Sequence, residues 1–191
     1  MLKKEEAMAL IEKTGAYLTG HFKLTSGRHS DHYMQAAQML QYPECTEKLA
    51  KHLAECFEKA GAEVVIGPAM GGILVSYEVA RQLGVPSIFA ERENGDMTLR
   101  RNFKIQPGQK VLVVEDVITT GGSVQEVIDL VKANGGEVVG VGVLVDRSNG
   151  KVKFEAPLHS VLQLDIQSWE AEDCPLCKAG MGEAYKPGSR K

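Results

Sequence analysis

Glu115 and Asp116 are the residues whose types and spacing point most directly to chemistry. Two adjacent carboxylates offer acceptor oxygens for hydroxyl groups, for a metal ion, or for both. Val117-Ile118-Thr119-Thr120-Gly121-Gly122-Ser123 follows at once. A strand that feeds a glycine-bearing loop and then a helix N-terminus gathers unpaired backbone N–H groups and the positive end of a helix dipole, and both attract phosphate. Phosphate with hydroxyls beside it describes a sugar phosphate. The run lacks the glycine spacing and lysine of a Walker A loop and is no G-x-G-x-x-G dinucleotide fingerprint. An ordinary Gly/Thr-rich strand-to-helix turn is the bland alternative.

The flanking residues must position this run. Val111-Leu112-Val113-Val114 reads as a short buried strand delivering the acids. Ser123 with Glu126 three residues later forms a capping-box pattern, which starts the next helix at the loop. Val124, Val127, Ile128 and Val131 give that helix its apolar face, and Asn134-Gly135-Gly136 ends it. Upstream, the spacing predicts a helix over 5–18, a polar β-rich hood or loop over 21–38, and a helix over 44–60. A strand at 64–66, a loop at 67–72 and a helix over 73–83 come next. Further strands are expected at 86–90, 138–145 and 160–166. Alternation from Val64 to Val145 predicts an α/β fold, a central mostly parallel sheet flanked by helices with right-handed crossovers. Ligands of such sheets lie at the strand carboxyl ends. Loops 67–72 and 115–123 and the segment opening Asp146-Arg147 should therefore converge.

At 191 residues the chain suits a single domain over 1–191. Residues 1–42 and the C-terminal segment are expected to form a hood on a core at 44–147. Net charge is −3 and pI about 6.0, so no basic surface announces nucleic acid. No apolar run nears the ~18 residues of a membrane span, and MLKKEEAMALIEKTG lacks the apolar stretch of a signal peptide. Four cysteines do not make a disulfide scaffold. A cytoplasmic protein with neither nucleic-acid nor membrane partners is expected.

V-V-E-D-V-I-T-T-G-G-S resembles the PRPP-binding motif of the type I phosphoribosyltransferases. The resemblance implies that fold, with a small N-terminal hood. It implies that Glu115 and Asp116 take the ribose hydroxyls of PRPP. Thr119, Thr120, Gly121, Gly122 and Ser123 would wrap its 5′-phosphate, with Val117 and Ile118 joining the two halves. Phe22-Lys23-Leu24-Thr25-Ser26-Gly27-Arg28-His29-Ser30, followed by Tyr33, is similar to the hood of the orotate-specific members, which brings Ser26 and Tyr33 to the substrate. Asp146-Arg147 is similar to the place where those members set an arginine near orotate. A guanidinium suits an anionic pyrimidine carboxylate; the plainer reading of Arg147 is an ion pair with Asp146 or another acid. The resemblance runs from about Tyr17 to Arg147. It implies transfer of phosphoribose from PRPP to orotate, a Mg²⁺ cofactor, and a homodimer whose lid loop completes the neighbouring site. A phosphoribosyltransferase for another base and a PRPP-sensing regulator are the alternatives.

Residues 91–104 hold Arg92, Arg100, Arg101 and Lys104. Charge runs are commonly solvated hairpins. The favoured reading is a mobile lid whose cations meet the pyrophosphate and exclude water. Arg92, Arg100 and Arg101, with Asp116, are the catalytic candidates. The family carries a lysine and a histidine in this loop; here 91–104 has no histidine and its lysine comes late. Met70-Gly71-Gly72 and Thr25 stand where lysines are common in relatives. Cys174-Pro-Leu-Cys177 has the spacing of half a zinc site. No second such pair exists, Cys45 and Cys56 read as helical, and His159 is unplaced. Reduced thiols or a packing role are therefore favoured, with a partner chain as the source of any second pair, and no metal ligand is assigned. His21, His29 and His32 are expected to be solvated or hydrogen-bonded hood residues. The basic tail 185–191 is expected to be flexible or packed in an interface.

Overall fold

The computed structural model describes residues 2–24 and 26–187. Thr25 and the end of the tail, 188–191, lie outside them. Helix α1 (Lys4–Lys13) buries Ala7 and Ile11. It is shorter than its apolar spacing predicts, because Thr14-Gly15 breaks it and Tyr17 and Leu18 enter strand β1 (Tyr17–Lys23). The polar stretch that follows forms β2 (His29–Met34), antiparallel to β1, and the short helix α2 (Ala36–Leu40). Pro43 then opens α3 (Pro43–Phe57), whose Leu49, Ala50, Leu53 and Phe57 are buried.

The core elements come next: β3 (Val64–Pro68), α4 (Gly71–Leu83), β4 (Ser87–Glu93), β5 (Asp96–Leu99), β6 (Lys110–Ile118), α5 (Gly122–Ala133), β7 (Glu137–Asp146) and β8 (Leu158–Gln163). The two-residue strand β9 (Ser168–Trp169) and the single turn α6 (Pro175–Lys178) close the chain. Strand order is β5-β4-β3-β6-β7-β8, parallel throughout except for β5. Strand β6 is central and alternates its apolar side chains between two cores. Leu112 and Val114 pack with α3 and α4, whereas Val111 and Val113 pack with Val124, Val127 and Val131 of α5. The chain leaves β3 toward one sheet edge and β6 toward the other. The order thus reverses between these two strands, which opens a crevice at their carboxyl ends. No helix among the described residues is long and apolar enough to cross a membrane.

Residues 91–104 begin as an ordered hairpin and not as an open loop. Glu91 to Glu93 extend β4, Asn94 and Gly95 turn with φ of 54° and 99°, and β5 pairs back through Glu91↔Thr98 and Arg92↔Met97. An Asn-Gly turn between extended arms favours this hairpin. The hood is likewise more than the N-terminal segment. Strand β9 pairs with β2, and Tyr185 is tied to β1 by hydrogen bonds of 2.8 Å with His21 O and Lys23 N. The part of the tail nearest the core is therefore docked.

Candidate active site

Strand β6 runs two residues past its acids, held by the pairs Val117↔Val145 and Ile118↔Asp146 with β7. Glu115 and Asp116 are accordingly strand residues, and their side chains leave opposite faces. Glu115 opens onto a small pocket of about 100 Å³ shared with the stretch from Val117 to Val124. Asp116 opens onto a larger cleft of about 690 Å³ with Ala69, Met70, Gly71, Phe89, Glu91 and Arg101. Glu115 Oε1 accepts the Asp116 N–H at 3.0 Å, and Asp116 Oδ1 accepts the Val117 N–H at 2.7 Å. Burial raises the pKa of both carboxyls, and the charge of Asp116 raises Glu115 further. The pair thus holds acceptor oxygens without a compensating cation among the described residues, a state that bound hydroxyls or a cation would relieve.

Loop 67–72 reaches this pair, as the switch point requires. A Cβ on Gly71 would lie 1.9 Å from Asp116 Oδ2, and one on Gly72 would lie 3.1 Å from Glu115 Oε1. Only a residue without a side chain lets the loop pass so close. This dependence gives no signal in the sequence beyond a Gly-Gly pair.

Beyond the acids, the cradle differs from expectation in its cap. Gly121, at φ 75°, is the N-cap of α5 and makes no side-chain cap bond; its carbonyl accepts the Gln125 N–H at 2.9 Å. Ser123 therefore lies in the first turn, and its capping box with Glu126 does not form. Glu126 instead pairs with Arg92 at 2.6 Å. The left-handed turn starts the helix two residues early and leaves Thr119, Thr120, Gly121, Gly122 and Ser123 around the 100 Å³ pocket with the first-turn N–H groups. Val152 and Phe154 wall the loop from behind, 2.8 and 2.9 Å from where a Gly121 Cβ would sit.

On the other side of β6, Asp146 ends β7 and Arg147 follows it, its N–H bonded to Ile118 O at 2.9 Å. The two do not pair. Asp146 accepts the Ser148 N–H at 2.7 Å, and Arg147 Nε is buried without a hydrogen-bond partner among the described residues. Burial lowers the pKa of Arg147, while the neighbouring Tyr33 and Tyr17 phenols act the other way. Two hood phenols, Tyr33 and Tyr17, the second not singled out by the sequence for this role, are thus near enough to Arg147 to act on its charge. His32 stacks on Tyr17 with ring centroids 4.9 Å apart. Ser26 is not brought in: it lies in the exposed β1–β2 turn, with the Arg28 N–H 3.4 Å from its hydroxyl.

The family described as "Phosphoribosyl transferase domain" matches residues 35–176. The orotate phosphoribosyltransferase of Desulforamulus reducens is 60% identical over 190 residues, 100% of this chain and 99% of that one. The chain belongs to the orotate phosphoribosyltransferase family. Its Thermotoga maritima relative is 55% identical over 181 residues, 95% of this chain and 96% of the relative. The crystal structure of orotate phosphoribosyltransferase from Aeropyrum pernix matches with a TM-score of 0.69 at 28% identity, over 93% of this chain and 99% of that chain.

Within this orotate phosphoribosyltransferase fold the three candidate arginines are not equivalent. Arg92 is engaged by Glu126 and by Gly95 O at 2.7 Å. Arg100 lies 3.5 Å from Glu93 and 3.9 Å from Glu91. Arg101 pairs with Glu91 at 3.2 Å and sits over the Phe89 ring, 5.8 Å from its centroid. Of the three, only Arg101 lines the cleft that contains Asp116. It does so from a left-handed turn, with φ of 56° at Arg101 and 61° at Asn102, closed by Phe103 N–H to Arg100 O at 3.0 Å. A non-glycine residue in that region carries strain of about 1 kcal/mol. His159 is placed away from the site, edge-on to Phe57 at 5.2 Å.

Proposed function

We propose that the chain transfers the phosphoribosyl group of PRPP to orotate, giving orotidine 5′-monophosphate and pyrophosphate in the making of pyrimidine nucleotides. The observation that carries the choice of base is Arg147. A buried guanidinium nitrogen without a partner among the described residues, near the phenols of Tyr33 and Tyr17 and following the strand beside the cradle, calls for an anion. The carboxylate of orotate supplies one; uracil and hypoxanthine do not.

In this reading the N–H groups around Thr119–Ser123 bind the 5′-phosphate, while Glu115 and Asp116 accept from the ribose hydroxyls. The bond from the anomeric carbon to pyrophosphate breaks as a ring nitrogen of orotate bonds from the opposite face. The electron-poor ribose of the transition state lies beside the acid pair, and Arg101 faces the departing charge. Catalysis is then positioning and electrostatics, with no covalent nucleophile. A Mg²⁺ would neutralise charge on the pyrophosphate; the Asp116 carboxylate offers the hard oxygen donor such an ion takes. A homodimer and a cytoplasmic location belong to the same proposal. Supporting the dimer, Met70, Leu74 and Tyr77 expose 83%, 50% and 67% of their surfaces on and beside α4, and Met70 and Leu74 line the Asp116 cleft.

The test is loss of orotate absorbance with PRPP, run beside uracil and hypoxanthine. Turnover of orotate alone, with one pyrophosphate released per orotate consumed, is expected. Turnover of another base but not orotate would overturn the reading.

A further inference from the structure

We propose that His21, His29, Cys174 and Cys177 form a structural Zn²⁺ site that clamps the C-terminal segment onto the hood. One ligand atom from each lies within 4.8 Å of all the others. His21 comes from β1, His29 from the facing end of β2, and the two cysteines from α6, Cys174 at its N-cap and Cys177 within it, with Cys174 153 residues beyond His21. The second pair of ligands is thus supplied by the same chain and not by a partner.

The distances suit one ion. His21 Nε2 is 3.0 Å from His29 Nδ1, 3.6 Å from Cys174 Sγ and 3.5 Å from Cys177 Sγ, and Cys177 Sγ is 3.3 Å from His29 Nδ1. A tetrahedral Zn²⁺ about 2.3 Å from sulfur and about 2.05 Å from nitrogen holds N and S ligands about 3.5 Å apart and N and N about 3.3 Å apart. The protonation pattern agrees. His21 Nδ1 lies 3.0 Å from Gly182 O, a group that only accepts, so Nδ1 carries the proton and Nε2 the lone pair. A ligating histidine oriented by a carbonyl on its other nitrogen is the usual outer-shell arrangement of zinc sites. That one lone pair faces three polar neighbours at once. A single hydrogen bond satisfies one of them, whereas a cation at their centre satisfies all four groups.

The residue chemistry selects the metal. Thiolates and imidazoles favour Zn²⁺ over the oxygen-loving Mg²⁺. Four protein ligands leave no open position, so the ion is structural. His21 and Cys174 are 8% and 0% exposed, and neither belongs to the acid pair, the cradle or the cleft. What the ion would hold is the seam where Tyr185 meets β1 and β9 meets β2. Arg28 binds across the same seam, to Glu170 and to Ser168 O at 2.6 Å.

The whole chain, purified under reducing conditions without a metal-affinity column, is analysed for metal by mass spectrometry and then loaded with Co²⁺. About one zinc per chain is expected, and the Co²⁺ form should show the visible bands and sulfur-to-metal absorption of a tetrahedral thiolate site. Cys177→Ser and His29→Ala should each weaken binding roughly tenfold or more, while Cys45→Ser and Cys56→Ser leave it unchanged. Folding of each variant is checked by circular dichroism. Chelation of the wild type covers the event that a variant fails to fold: hydrogen exchange of 168–187 should then speed up at least tenfold while that of 110–118 holds. No metal in the wild type and no Co²⁺ spectrum would overturn the proposal, as would half an ion per chain or a spectrum that survives in Cys177→Ser. None of these readouts depends on orotate turnover.

Discussion

The cradle proposed for phosphate and the hood are built in opposite ways. The cradle is one unbroken stretch of chain: β6, a turn, and the start of α5, backed by β7 and by Val152 and Phe154. The hood is assembled from the two ends of the chain, with β9, α6 and Tyr185 laid against β1 and β2. The cradle rests on a core in which Val111 to Val114 are fully buried. The hood has a three-stranded sheet with one two-residue strand and few buried apolar side chains. A local motif on a buried strand tolerates little change and needs no clamp. A long-range assembly with a small core needs specific polar ties, and its stability is separable from that of the sheet.

Substitutions can break that comparison. The largest effect is expected at the contact between the loop 67–72 and the acids. Gly71→Ala places a methyl 1.9 Å from Asp116 Oδ2 and must displace the carboxylate. Steady-state kinetics should show kcat/KM for PRPP falling by about 10²-fold or more, with Asp116→Asn raising KM for PRPP in the same direction. A Gly71→Ala enzyme with wild-type kinetics would remove the acids from the site. Gly121→Ala should cost about 1–3 kcal/mol in urea unfolding, from its left-handed backbone and the wall at Val152 and Phe154.

Arg147→Ala tests the hood's side. Its KM for orotate should rise by roughly 10²-fold with KM for PRPP nearly unchanged, while thermal stability holds or increases, since the variant removes a guanidinium whose buried Nε has no partner among the described residues. A loss of stability would instead make Arg147 a structural tie. Next in size are the hairpin arginines. Arg101→Ala should lower kcat about tenfold, and Arg92→Ala and Arg100→Ala, whose partners lie in the hairpin and on α5, should do less. Equal effects would restore the whole hairpin as the unit that meets pyrophosphate.

The smallest effect concerns pH. Glu115 has its folded-state pKa raised by burial, so its folded form holds a proton that the unfolded chain has lost. Below the ordinary carboxylate value both states are neutral and burial of charge costs nothing. Stability falls as pH climbs above it toward the raised value. Glu115→Gln should therefore raise the melting temperature at pH 8, by the equivalent of roughly 1 kcal/mol, and leave it unchanged at pH 4. The same gain at both values would show that the charge of Glu115 is not what the variant relieves.

Much of this was legible because short-range rules decide it. The apolar run at 111–114, the acids, the Thr-Gly loop and the face Val124, Val127, Ile128, Val131 fix a strand, a turn and a helix in register, and the alternation around them fixes a parallel sheet. The misreadings fall where two local rules compete. Ser123 and Glu126 satisfy a capping box, but Gly121 reaches the left-handed region at no steric cost and claims the cap. Residues 91–104 read as an open loop, but Asn94-Gly95 closes them into a hairpin, a form that a lid can equally take.

By itself the sequence determined the sheet, the cradle and the family, because each rests on residues near one another along the chain. Only the tertiary structure decided that Arg147 Nε is buried without a hydrogen-bond partner among the described residues, near the phenols of Tyr17 and Tyr33, and that Gly71 grazes Asp116. It alone brought His21 and His29 to Cys174 and Cys177. These are meetings across tens to more than a hundred residues. No propensity or spacing encodes them; they follow from the reversal of strand order at β3 and β6 and from a C-terminal segment that returns to pair with the hood.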